Sequence, residues 1–386
     1  MINSSRLSSL RRPLPLWFTA AVLVLVSRLL LFALYLHWKR SSGSDDGFFT
    51  ALYHWDAGWY ASIVSNGYGG EAGLAANAQA RWAFFPLVPL LDTIVTHLTG
   101  LKLQVAGVLL NTVFLYLITL FGAKYMRELD CGSGQALIFM LLVNFGPYNV
   151  YYSTLYTEAA FVLLVCLALY CLQTRHWLLM GLFGALASAT RNTGIFLVFA
   201  VALWCLLTYL DQKEPLRKKG VKDFVLWVLQ KPRLILGTFL IPMGLFLYMH
   251  YLDGLLGDGM AFVHVQYAWG RVVGNPITHL YKALLDIGSG DFFLGVCTLV
   301  CLYLCARQIV RRRPEAILSL LFIVIPLSTS IAGMTRYTLC SFPILVEASH
   351  ELSCKSRLSK AFWALFLLIF GVGTSLKWFQ AAQIMI

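Results

Sequence analysis

An all-α polytopic membrane protein is the fold class this sequence predicts, and three observations predict it. Of 386 residues, 59% are hydrophobic and only 12% are charged, about half the charge density of an ordinary soluble domain. Apolar runs close to the ~20 residues that cross a bilayer recur along the chain, at 16–36, 194–210, 234–252, 317–332 and 361–376. Basic residues gather in alternate connections between these runs, the usual mark of a chain that threads a membrane many times.

The first run follows Arg6, Arg11 and Arg12. Its apolar stretch is longer than the roughly 7–15 residues of a signal-peptide core, so it reads as a retained anchor. Assigning sides by charge places residues 1–15, Lys124, Arg127, Arg175, the basic stretch 211–233, residues 307–313, Lys355, Arg357 and Lys360 inside. Lys39, Arg40, Arg81, Arg191, Arg271, Lys282, Arg336 and Lys377 fall outside. This assignment needs about eleven spans within a single domain, 1–386, and leaves two long outer segments, 37–83 and 253–291, the first carrying amphipathic helices. Residues 84–99 carry two prolines and Asp92 and fit a span, a re-entrant piece or a surface helix. The formal charge of +12 is spread over short loops with no basic arm, so topology explains it and nucleic acid is not an expected partner. Nine cysteines include no CxxC pair; Cys297, Cys301 and Cys305 share one helix face and read as packing.

The chemistry is expected among the few charges stranded in this apolar chain, because ionisable groups at membrane depth are costly unless they work. In His54-Trp55-Asp56-Ala57-Gly58-Trp59-Tyr60, a helix over 48–63 places Asp56 centrally on an aromatic face, with His54 almost opposite. The competing reading makes Asp56 the cap of a helix beginning at Ala57. Glu158, Arg191, next to Asn192, and Arg336, next to Tyr337, lie at run boundaries on the same outer side as Asp56. The second outer segment adds Gln266, Trp269 and Arg271, a mixture suited to a sugar or phosphate; interfacial anchoring is the alternative reading. Phosphate-loop, HExxH, GxSxG and dinucleotide motifs are absent. What is left is acid, base and anion-binding chemistry at the outer membrane face.

Those segments, together with 83–91, Tyr156-Thr157-Glu158, Arg191-Asn192-Thr193-Gly194 and Arg336-Tyr337 followed by Phe342-Pro343, resemble in order the PIG-V mannosyltransferases, members of the GT-C glycosyltransferases. His54 stands where that family more often has arginine. The resemblance implies a GT-C-like bundle and a mannosyltransferase of the kind used in GPI-anchor and glycolipid biosynthesis. Its donor would be a polyprenol-phosphate sugar, most often mannose, its acceptor a lipid-linked or glycan hydroxyl, and its partners otherwise membrane lipids. Transfer would invert the anomeric centre, with Asp56 as general base and Arg191, Arg336 and Arg271 binding the donor phosphate. Trp55, Trp59, Tyr60, Glu158, Asn192, Gln266, Trp269 and Tyr337 would contact substrate. No cofactor is assigned; a divalent cation is compatible with such a site, but no ligand spacing demands one. A flippase or transporter of lipid-linked sugars is the alternative function. The expected location is the inner membrane of a prokaryote or the endoplasmic reticulum of a eukaryote.

Overall fold

Backbone polar groups find no water inside a bilayer, so an apolar chain must satisfy them within helices. The computed structural model describes residues 14–69, 79–212 and 220–385, and these are helical with no strand among them. Arg6, Arg11, Arg12 and part of the basic stretch 211–233 lie outside the described residues. In chain order the α-helices are α1 (Leu16–Ser42), α2 (Phe48–Ala51), α3 (Ala57–Asn66), α4 (Leu87–Thr99), α5 (Leu103–Glu128), α6 (Ser133–Phe145) and α7 (Glu158–Gln173). They continue as α8 (Trp177–Ser188), α9 (Leu197–Leu210), α10 (Val221–Leu229), α11 (Pro232–Leu240), α12 (Met243–Leu256) and α13 (Ala261–His264). The last are α14 (Pro276–Leu285), α15 (Gly290–Val310), α16 (Ala316–Leu327), α17 (Met334–Thr338), α18 (Phe342–Ser353) and α19 (Arg357–Phe379).

Six stretches are long and apolar enough to cross a membrane: α1, α5, 192–210, 232–256, α15 and α19. Five shorter apolar helices, α4, α6, α7, α8 and α16, complete the set, so the protein is a multi-pass membrane protein in which several helices fall short of full bilayer thickness. α7 is buried on nearly every side and forms the axis of the bundle. Leucines on α1, α12 and α19 remain exposed, as a lipid-facing shell requires. α8 approaches α11 so closely that a Cβ on Gly181 would lie 2.3 Å from the Gly237 carbonyl oxygen, the small-residue packing typical of membrane helices. Cys297, Cys301 and Cys305 are buried in α15, and Cys301 and Cys305 pack there against α16 residues such as Ile323.

α4 occupies the stretch that fits a span, a re-entrant piece or a surface helix. It has 13 residues, about 20 Å of helix against a ~30 Å hydrocarbon core, and a left-handed Gly100 (φ 69) folds it back onto the start of α5. A Cβ on Gly107 of α5 would meet Asp92 of α4 at 3.4 Å. One turn further down α5, Asn111 donates to the carbonyl of Thr154. Residues 154–158 therefore lie beside the Asn111 turn of α5, buried within the bundle.

Candidate active site

The segment expected to form one helix over 48–63 is broken, which corrects the wheel on which Asp56 was placed. α2 ends at Ala51, and α3 begins only at Ala57. Between them Trp55 adopts a left-handed backbone, φ 46, a conformation that costs a residue other than glycine on the order of 1–3 kcal/mol and persists only where its surroundings enforce it. Asp56 occupies the N-cap position of α3, but its side chain makes no capping hydrogen bond. The turn swings the carboxylate inward instead.

It meets three other segments there. Asp56 Oδ2 accepts a hydrogen bond from Arg336 Nη1 at 2.7 Å. Arg336 lies on α17, in the short connection between α16 and α18, and its Nε donates to Glu158 Oε1. Glu158, the first residue of α7, accepts a second bond on the same oxygen from Arg191 Nη2 at 2.5 Å. Arg191 precedes a 3-10 turn, Asn192–Phe196, which can sit against α8 because a Cβ at Gly194 would run into the Ala187 backbone at 2.4 Å. Arg191 Nε also donates to Thr157 Oγ1 at 2.9 Å, and that hydroxyl lies 3.4 Å from the Tyr60 hydroxyl. One carboxylate, Glu158, thus orients two arginines, and one arginine joins two carboxylates.

Exposure separates the members. The Glu158 side chain is 1% exposed and Arg336 6%, whereas Arg191 is 17% and Asp56 26% exposed. Burial works against the charge on Arg336, but Glu158 and Asp56 more than offset it, so the guanidinium holds its proton more firmly than usual. Aromatic rings enclose it, with Tyr156 4.5 Å from the guanidinium carbon. Asp56 Oδ1 makes no hydrogen bond among the described residues, and Glu158 Oε2 is buried without a partner.

A small cleft opens from this cluster, its lining including Glu158, Arg191, Arg336 and Tyr337 together with Phe161, Val162, Phe322 and Pro326. Charged groups meet an apolar patch where α7 and α16 touch, the rings of Phe161 and Phe322 lying 5.6 Å apart. Arg271 reaches in from the second outer segment, its Nη2 donating to the Tyr337 hydroxyl at 3.3 Å and its Nη1 lying 3.5 Å from Gln266 Oε1. Burial raises the pKa of the Tyr337 phenol, but Arg271, Arg336 and Arg191 pull it below its ordinary value. Three arginines against two carboxylates leave a net positive pocket.

The remaining expected residues divide into two groups. Trp59 stacks on Phe84 and meets Trp269 edge-on at 5.8 Å, forming an aromatic wall one turn along α3 from Asp56. Trp55 and His54 instead pack on Trp378 of α19; no hydrogen bond joins His54 to Asp56 among the described residues. Asn192 is exposed and bonds to none of the cluster. Sequence reasoning missed Tyr156, Thr157, Phe84 and Trp378 as site residues. Tyr156 and Thr157 adjoin Glu158 and could have been found; Trp378 carries no local signal. No group of three or more His, Cys, Asp or Glu side chains that could hold a metal ion occurs among the described residues, and arginines already engage one oxygen of each site carboxylate.

The family model described as Mannosyltransferase (PIG-V) matches residues 38–266, more than half of the chain and inclusive of Asp56, Glu158 and Arg191. GPI alpha-1,6-mannosyltransferase 2 of Mus musculus is 31% identical over 164 residues, which is 40% of this chain and 32% of that protein. The protein of the same name from Cricetulus griseus is 29% identical over 156 residues, 39% of this chain and 31% of its own length. The match thus spans about a third of the length of these curated relatives. Among solved structures, ArnT from Cupriavidus metallidurans bound to undecaprenyl phosphate superimposes with a TM-score of 0.56 at 14% identity, over 94% of this chain and 76% of that one. That likeness establishes the fold, the GT-C-like bundle expected from the sequence.

Proposed function

The chain belongs to the Mannosyltransferase (PIG-V) family, and from that premise we propose that it moves mannose from a polyprenol-phosphate carrier to a hydroxyl of a lipid-linked or glycan acceptor on the outer or lumenal membrane face. The observation that carries this reading is the junction of a partly exposed carboxylate, a pair of buried-side arginines and an apolar cleft at one point of the bundle. A lipid phosphate needs that combination: cations for its head and an apolar path for its chain.

In this reading the donor phosphate lies against Arg191 and Arg336, whose guanidinium forks suit phosphate oxygens. Its isoprenoid chain leaves along Val162 and Pro326, past the paired rings of Phe161 and Phe322. Asp56 Oδ1 takes the proton of the acceptor hydroxyl as its oxygen attacks the anomeric carbon, and the bond from that carbon to the phosphate oxygen breaks on the opposite side. The configuration inverts and polyprenyl phosphate departs with the electron pair. Because the departing phosphate is a stable anion, no second carboxylic acid is needed, in contrast to glycoside hydrolases. A positioned base contributes about 10²–10⁴-fold, and the arginines stabilise the charge that gathers on the leaving group. Trp59, Phe84 and Trp269 form the wall against which an acceptor sugar would stack.

The test is transfer of labelled mannose from polyprenol-phosphate mannose to added glycolipid acceptors by purified protein in detergent, where no membrane separates two compartments. Product formation is expected. Its absence with every acceptor class, alongside movement of lipid-linked sugar across reconstituted vesicles, would replace this reading with transport.

A further inference from the structure

We propose that Tyr156 is a positioning residue, a hydroxyl clamp that holds the strained turn at Trp55 and thereby sets the Asp56 carboxylate against Arg336; the catalytic half of this inference rests on the function proposed above. Three observations meet on this one side chain. Its hydroxyl donates to the His54 carbonyl and accepts from the Asp56 amide, both at 3.2 Å. One oxygen therefore ties the backbone on either side of Trp55, whose φ is 46, and reinforces a turn that the Ala57 N–H also closes on the His54 carbonyl at 3.1 Å. Its ring lies against the Arg336 guanidinium, 4.5 Å from centroid to carbon. The same residue thus locates both members of the Asp56–Arg336 pair, one through its tip and the other through its face.

The clamp is itself anchored. Tyr156 is 1% exposed, and Asn111 of α5 donates to the carbonyls of Thr154 and Tyr156, fixing the strand of chain that carries the ring. Trp378 packs edge-on against Trp55 at 5.0 Å and against Tyr156 at 5.5 Å, closing the outer side. The hydroxyl is a poor proton donor to substrate, because burial raises its pKa and both its hydrogen-bonding directions are already used by backbone. Positioning is what its contacts allow.

Tyr156→Phe keeps the ring under Arg336 and removes only the clamp. Two measurements on the purified full chain test it. Amide hydrogen exchange at Asp56, whose N–H loses its acceptor, is expected to quicken about tenfold in the variant while amides in the body of α3 keep their rates. Unchanged exchange at Asp56 overturns the clamp whether or not the enzyme transfers sugar. In the transfer assay, kcat is expected to fall about 10–100-fold, as small misplacements of a base do, with the donor KM within about twofold and the melting temperature retained. A matching loss of donor binding and melting temperature would make Tyr156 a packing residue and overturn the proposal; normal kcat would do so too. A wild-type chain that forms no product indicts the functional reading alone, since the exchange result still decides the clamp.

Discussion

Two arginine–carboxylate networks sit at opposite ends of this bundle, and they are built for different ends. At the end that the basic loops assign to the outside, Asp56, Glu158, Arg191 and Arg336 come from four separate segments and border a cleft, with one carboxylate partly exposed and a buried oxygen left without a partner. At the end those loops assign to the inside, Arg307 and Arg311 of α15 meet Glu347 and Glu351 of α18 at 2.6–2.8 Å. That inner network links two adjacent helices side by side. Salt bridges alone would not distinguish the two; the number of segments joined, the unsatisfied oxygen and the adjoining space do.

Substitutions can break or sharpen that contrast. The largest effect is expected for Asp56→Asn, a loss of transfer of about 10²–10⁴-fold in a protein whose melting temperature is retained; turnover near wild type would remove Asp56 as base. Next comes Arg336→Lys, which keeps the charge but cannot bridge two carboxylates as a fork. Transfer should drop about 10²–10³-fold, with a lowered melting temperature because Glu158 stays buried with fewer donors, and a fully active lysine variant would deny the shared guanidinium its role.

At the inner network the pattern should reverse. Arg311→Met leaves Glu347 buried without its donor and is expected to cost about 1–3 kcal/mol of stability in denaturant titration, while kcat of the surviving folded protein stays within about twofold. A large kcat loss at unchanged stability would make the inner network part of the catalytic apparatus. The smallest effect concerns Tyr337, whose phenol the three arginines hold below its usual value. A group with a lower value folded than unfolded favours the folded state as pH rises past the folded value. Ultraviolet titration should show one tyrosine ionising ahead of the others, and Tyr337→Phe should abolish that early step; its persistence would assign it elsewhere.

The sequence revealed the membrane class and the outer charges for the same reason: in a chain with so few ionisable residues, each one that interrupts an apolar run stands out. Glu158, Arg191 and Arg336 were visible in that way, and the structure joins them to Asp56. The break before α3 was visible only as the competing reading, a helix beginning at Ala57 with Asp56 at its N-terminus; the left-handed turn at Trp55 was not. Neither glycine nor proline marks that residue, the apolar period runs on through 48–63, and beside the local backbone bonds the turn is held by Tyr156 a hundred residues away and packed by Trp378 at the far end of the chain. α4 was equally opaque: its length and prolines suit several placements, and the packing of Asp92 against Gly107 of α5 carries no local signal.

The sharing of Arg336 has a kinetic meaning. Under the proposed function the guanidinium that would grip the donor phosphate is the one that already holds Asp56 Oδ2, so donor binding and alignment of the base depend on a single side chain. Loss of that side chain is then expected to raise the donor KM and lower kcat together, whereas loss of the Asp56 carboxylate lowers kcat alone.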